Sequence, residues 1–395
     1  MYRLLFLVFS LLSVLMFSSV AQETAAPFRV APLFNLDKPN TLGLDEAPGA
    51  ETFTLFAPKA TQNTYNHGVV LFPFKDKLYA QWQSSSKDED GPDTQVMYSS
   101  SSDGQHWDTP KPLTSMGEHG IKTSGGWYSD GTTLIAYINV WQDAEKDPKQ
   151  GHTVYRSSTD GIQWTEERPV TEAYGQPVLG IIEQDVRALP SGRLLTAFHL
   201  QPGLQCTPYY TDDPLGVSGW TAGALPPMPG SSPTMSRGIE PSWFSRSDDA
   251  VVMVFRDQES SFKKLASLSK DQGVTWSTPV LINTPDSRAK QSAGNLPDGT
   301  AFMVNNPTGS KRRFPLVITL SDDGFFFDRA FRLRSGGNDL QALRVPGKYK
   351  RAGYSYPKSV LWQEHLYVGY ATNKEDVQLT RIPISHLGAI SDGNR

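Results

Sequence analysis

Residues 269–276 read Ser269-Lys270-Asp271-Gln272-Gly273-Val274-Thr275-Trp276, and shorter copies of this segment recur along the chain. They are Ser101-Ser102-Asp103-Gly104-Gln105-His106-Trp107, Ser158-Thr159-Asp160-Gly161-Ile162-Gln163-Trp164 and Ser321-Asp322-Asp323-Gly324-Phe325-Phe326-Phe327. The aspartates fall at 103, 160, 271 and 323, so the gaps are 57, 111 and 52 residues. The long gap holds two repeats of about 55 residues. A missing copy should therefore lie near 212, where the chain runs from Tyr210-Thr211-Asp212-Asp213 to Trp220. The chemistry of the segment is that of a turn. Asp and Ser bond backbone amides inside a tight hairpin, Gly supplies a positive φ, and the closing aromatic packs beneath.

Outward from each turn lies a pair of short apolar runs with a tight loop between them. They occupy residues 68–83, 127–139, 186–199, 241–256, 292–306 and 359–370. Leu-Pro-Ser-Gly at 189–192 and Leu-Pro-Asp-Gly at 296–299 are hairpin punctuation. Six units of strands at this period, closing on themselves, predict an all-β fold: one β-propeller of four-stranded antiparallel blades. Residues 27–57 should supply the strand that closes the ring or form part of a seventh blade.

The composition agrees. The 33 Gly and 29 Pro of 395 residues suit a chain of many turns, and 38% hydrophobic residues suffice for a large core. A net charge of −4 leaves no basic footprint for nucleic acid. Arg3 precedes an apolar run that ends at Ser19-Val20-Ala21, with small residues where a signal peptidase cuts. This predicts a signal peptide over 1–21, the propeller over 22–395, a bacterial secreted or periplasmic location, and no membrane span after cleavage. Cys206 is the single Cys, so no internal disulfide is possible. The seven His include no zinc-binding spacing, so neither metal nor cofactor is expected. Asp88-Glu89-Asp90-Gly91 is too short for a calcium loop and is expected at a solvated hairpin tip.

The turn segment resembles the Asp box of the sialidase superfamily, and the resemblance covers essentially the whole mature chain. The stretch from Gln291 to Gly299, Asn306-Pro307, and Arg312-Arg313-Phe314-Pro315-Leu316 resemble the sialidase-like proteins of polysaccharide-degrading bacteria. So does the ending from Asn373 to Pro383. Sliding the units over one another pairs positions about 16 residues apart at the channel mouth. The pairs are His67 with Gln83, Thr123 with Asn139, Glu183 with His199, Glu240 with Arg256, and Lys290 with Asn306. Tyr356 matches Glu240 in the last unit. A rim this polar implies a ligand or water.

By the resemblance, Glu240 and Tyr356 fit the sialidase Glu–Tyr pair. Arg256 and Arg313 fit two of the three carboxylate arginines, and Asp90 weakly fits the acid/base. The first arginine is missing, and Tyr65-Asn66-His67-Gly68 stands in its place. The site is thus expected to comprise His67, His199, Tyr356, Arg256, Arg313 and Glu240 for the chemistry. Asn66, Gln83, Glu183, Lys290, Asn306 and Lys358 would bind substrate. His67 in place of an arginine shifts the expectation toward the propeller ulvan lyases. There, arginines neutralise a uronate carboxylate, and a His or Tyr takes the C5 proton. The expected activity is β-elimination on an acidic, uronate-containing polysaccharide or oligosaccharide, by a monomer. The alternatives are a sialidase-type hydrolase and a non-catalytic carbohydrate-binding propeller.

Overall fold

Each pair of apolar runs forms an antiparallel hairpin, and successive hairpins extend into meanders of four strands. A computed structural model describes residues 25–59, 61–115, 120–142 and 150–388. The expected signal peptide lies outside these residues. Among them there are six blades, each built from its innermost strand outward. The first runs through Tyr65–Phe74, Lys77–Ser85, Gln95–Ser101 and Lys111–Pro112. The second, third, fourth and fifth begin at Ile121–Ser129, Gly180–Ile182, Gly238–Ser245 and Ser292–Asn295.

The sixth blade settles how the ring closes. Its inner strands are Tyr354–Trp362, His365–Thr372 and Asp376–Pro383, and its outermost strand is Glu51–Phe56 from the opposite end of the chain. Residues 27–57 therefore close the ring rather than begin a seventh blade. Arg29–Val30 runs parallel to Phe326–Phe327 outside the fifth blade. No helix among the described residues is long and apolar enough to cross a membrane.

The core is divided among the blade interfaces. Trp127 and Leu134 of the second blade pack on Val70 and Tyr79 of the first, and five comparable clusters fill the other interfaces. Burying one such side chain contributes about 1.5–3 kcal/mol, so each blade is held by both neighbours.

The turn segments lie at the hairpin tips and behave as their chemistry requires. In the third copy, the Thr275 amide donates to Asp271 Oδ1 at 2.8 Å, the Gly273 amide donates to Ser269 Oγ at 2.9 Å, and Trp276 is buried. Gly161 shows why the glycine is needed: its φ is +72°, and a Cβ there would sit 2.1 Å from Tyr79 Oη. The degenerate copy is real, but Asp213 makes its turn bonds, to the amides of Leu215, Val217 and Ser218. Asp212 instead pairs with Arg193 at 2.9 Å.

Candidate active site

The innermost strands are where the repeats stop being alike. A β-bulge interrupts the first, second, fourth and sixth of them, at His67/Val70, Ser124/Gly126, Ile239/Ser242 and Ser355/Lys358. A bulge inserts residues without ladder partners and re-aims their side chains. At matching places in these bulges, Gly68, Glu240 and Tyr356 have φ of +64°, +52° and +57°. Glycine holds that conformation freely. Glu240 and Tyr356 each hold it at a cost of about 1–2 kcal/mol. The matching of Tyr356 with Glu240 is thus physical, and both side chains face the cleft.

The cleft has a volume of about 390 Å³ and is walled mainly by the first four blades. At its edge, Tyr356 Oη donates to Glu240 Oε1 at 2.6 Å, and Arg256 Nη1 donates to Glu240 Oε2 at 2.9 Å and to Tyr356 Oη at 2.9 Å. The Arg313 guanidinium lies 5.2 Å from the centre of the Tyr356 ring and donates to Ser355 Oγ at 2.9 Å. Both arginines predicted from sequence therefore reach the same tyrosine. Burial alone would raise the Glu240 carboxyl. Arg256, Lys290 and the bonds from Tyr356 and Arg256 outweigh that and hold it at about 2. Burial, then the charge of Glu240, push the Tyr356 phenol well above its ordinary value against the pull of Arg256 and Arg313. At rest the proton is on the tyrosine and the charge on the glutamate.

His67 packs against Tyr356 with ring centres 4.3 Å apart, and neither of its buried nitrogens has a hydrogen-bond partner. Burial, then the charges of Lys374, Arg313, Lys290 and Arg351, push its imidazole well below the ordinary value, so it is neutral at pH 7. His199 is engaged differently: its Nε2 accepts the backbone N–H of Glu240 at 3.1 Å. Its pairing also differs from the one expected. His199 stands opposite Ile181, while the Glu183 amide bonds Ala197 O at 2.8 Å. The cause is a break in the third blade's inner strand between Ile182 and Arg187. Similarly, Arg256 pairs with Ile239 rather than Glu240, because Glu240 is a bulge residue.

The break in the third blade sends Glu183, Gln184 and Asp185 into the channel. Lys290 Nζ donates to Glu183 Oε1 at 2.8 Å and Gln184 Oε1 at 3.0 Å, and Glu183 Oε2 keeps no partner. Gln184 Nε2 donates to Gly68 O at 3.1 Å and Ser124 O at 2.9 Å, and Lys358 Nζ lies 3.7 Å from Asp185. These links tie the third blade to the first, second, fifth and sixth. Gln184, which sequence reasoning did not single out, carries no motif to reveal it.

Other sequence-predicted binding residues sit apart from the cleft. Asn66 is fully enclosed: it donates to Asn63 O and Glu375 O and accepts from Trp82 Nε1 and Ser84 Oγ. Asn306 donates to Arg313 O and Pro315 O, both at 3.1 Å, and so braces the Arg313 loop. Lys358 lies in the channel network. Gln83, Glu183 and Lys290 do line the cleft. The tip at residues 88–91 is half-buried rather than solvated: Glu89 bonds Lys374 Nζ, and Glu89 and Asp90 line the cleft. Among the described residues, no group of three or more His, Cys, Asp or Glu could hold a metal ion.

The BNR repeat-like domain model matches residues 76–368. Among solved structures, one described as a sialidase superposes with a TM-score of 0.64 at 21% identity. The match covers 90% of this chain but 35% of that one. A protein of unknown function from Dyadobacter fermentans gives 0.64 at 16% identity, covering 85% of this chain and 99% of that chain. An intramolecular trans-sialidase from Ruminococcus gnavus, solved with oseltamivir carboxylate, gives 0.62 at 11% identity, covering 89% and 99%. A sequence search of curated proteins finds no match.

Proposed function

The chain belongs to the BNR repeat-like family and has the sialidase propeller fold, and from that premise we propose a carbohydrate-active enzyme that cleaves or transfers the glycoside of a carboxylate-bearing sugar. Tyr356 is its nucleophile. One observation carries this reading: the hydrogen-bonded cluster of Tyr356 Oη, Glu240 and Arg256, with Arg313 against the same ring. As Tyr356 Oη attacks the anomeric carbon, Glu240 takes the phenolic proton. The bond from the anomeric carbon to the leaving oxygen breaks, and Asp90, on the cleft wall, supplies the proton that oxygen needs. Water or a sugar hydroxyl then gives a proton to Asp90 and attacks the anomeric carbon, the bond to Tyr356 Oη breaks, and Glu240 returns the proton to the phenolate. A carboxyl held at about 2 is a weak base toward a raised phenol. Proton transfer is therefore coupled to attack, and Arg256 and Arg313 stabilise the charge developing on Oη. A substrate carboxylate meets the same two guanidiniums. The substrate lies outside the cytoplasm, reached by export through the segment ending at Ala21.

A second reading, β-elimination from a uronate polymer such as ulvan, is favoured by one observation. His67 is neutral, buried, unpartnered and beside Tyr356, as a base for a C5 proton would be. Product analysis separates the two. The enzyme is incubated with sialosides, aryl glucuronides and ulvan. Free acidic sugar or a transglycosylation product supports Tyr356 as nucleophile. Ultraviolet-absorbing 4,5-unsaturated ends would replace that reading with elimination.

A further inference from the structure

Glu240 holds a backbone conformation that a glutamate does not favour, at the point where its carboxylate must meet Tyr356. Two buried side chains grip its peptide groups from opposite sides. The Glu240 N–H donates to His199 Nε2 at 3.1 Å. The Glu240 carbonyl accepts from Gln291 Nε2 at 2.9 Å, and the same nitrogen donates to Val254 O at 2.7 Å. Gln291 is oriented in turn: its Oε1 accepts from Lys264 Nζ at 2.6 Å, and Lys264 pairs with Asp286 at 2.9 Å. His199, Gln291, Lys264 and Asp286 are all buried. A fully enclosed Lys–Asp pair is a costly way to stabilise a fold. It fixes which end of the Gln291 amide faces Glu240, because the ammonium can only donate.

We infer that His199 and Gln291 are positioning residues that clamp the Glu240 backbone in its left-handed conformation and so aim the carboxylate at Tyr356. His199 is then a neutral acceptor rather than a proton carrier, since a protonated imidazole has no lone pair for the Glu240 N–H. Glu183, Glu240 and Lys290 are the charged groups facing it, and burial lowers its affinity for a proton. Gly68, at the matching place in the first blade, reaches the same φ region without side-chain strain. At Glu240 the bulge carries a functional carboxylate instead, and the two side chains hold it there. The inference rests on the proposed role of Glu240, yet its structural half is testable alone.

The test compares His199→Leu, which has no acceptor, with His199→Gln, whose amide oxygen can accept the same N–H. Gln291→Glu is the second probe: it keeps an oxygen for Lys264 and loses the donor to Glu240. Crystal structures of His199→Leu and Gln291→Glu should show Glu240 leaving the left-handed region and its bond to Tyr356. On a cleaved aryl glycoside, both should lower kcat roughly 10- to 100-fold, with KM within about twofold of wild type. His199→Gln should recover most of the loss. A His199→Leu structure with Glu240 still bonded to Tyr356, or equal kcat for His199→Leu and His199→Gln, overturns the clamp. Tyr356→Phe separates the two failures. If it abolishes turnover while His199→Leu turns over normally, the clamp alone is wrong. If it turns over normally, the nucleophile assignment is wrong, and the His199→Leu structure still decides the clamp.

Discussion

The hairpin tips and the channel mouth lie at opposite ends of the same blades, the tips between the two outer strands and the mouth on the innermost one, and they follow opposite rules. At the tips, Asp103, Asp160, Asp271 and Asp323 repeat one solution, each bonding amides two to four residues ahead. At the mouth, the equivalent bulge places carry Gly68, Glu240 and Tyr356. His67 and Glu183 there keep polar atoms without partners. The tips are alike because their partners are local and their task is only to turn the chain. The mouth is diverse and strained because its side chains meet partners on other blades rather than in their own turn.

If that contrast is right, damage at the mouth should abolish turnover and spare the fold. Tyr356→Phe and Glu240→Gln should each lower kcat about 10²–10⁴-fold, with thermal unfolding near that of wild type. Steady-state kinetics beside calorimetry would show this, and a collapse in stability with normal specific activity would break the contrast. Arg313→Ala comes next. A desolvated contact to an anionic group should cost about 2–5 kcal/mol in kcat/KM on an acidic glycoside. Equal kcat/KM for the variant and wild type would remove Arg313 from the anion site.

The mouth should also govern the acid sensitivity of the fold. His67 and His199 bind protons more weakly folded than unfolded, so their contribution is complete above pH about 6.5. It is lost as pH falls from there toward their depressed folded values, by at most about 1.4 kcal/mol per pH unit for each. The lowered carboxyl of Glu240 acts further down: its contribution is full above about pH 4.3 and lost as pH falls toward about 2. Urea midpoints should drop between pH 7 and 5, and His67→Gln should drop less. Identical profiles would show that His67 does not titrate with folding.

The smallest expected effect belongs to a single tip. Asp271→Ala removes the bonds to the Thr275 amide and hydroxyl. It should lower stability by about 1–2 kcal/mol and leave kcat unchanged, as differential scanning calorimetry and an activity assay would show. A kcat loss here would mean that the two ends are coupled through the blade.

Much of the molecule is legible without coordinates, but unevenly. The six-fold repeat, the turn chemistry and the matching of Tyr356 to Glu240 all follow from spacing. The register at Glu183 and His199 does not, because a strand break shifts the pairing by two residues while leaving the apolar pattern intact. Asn66 illustrates a second limit. A polar residue beside the mouth has the same identity whether it faces a ligand or, as here, bonds Trp82, Ser84 and two carbonyls.

The sequence by itself determined the six repeated units, the hairpin tips and part of the polar channel mouth. Each follows from contacts only a few residues long, and local contacts leave periodic marks. Only the tertiary structure decided that Glu51–Phe56 closes the ring. It also decided that Tyr356 meets Glu240 across 116 residues and Arg256 across 100, and that His199 grips the Glu240 backbone. Such meetings depend on bulges, strand breaks and the angle between blades, and none of these leaves a period in the chain.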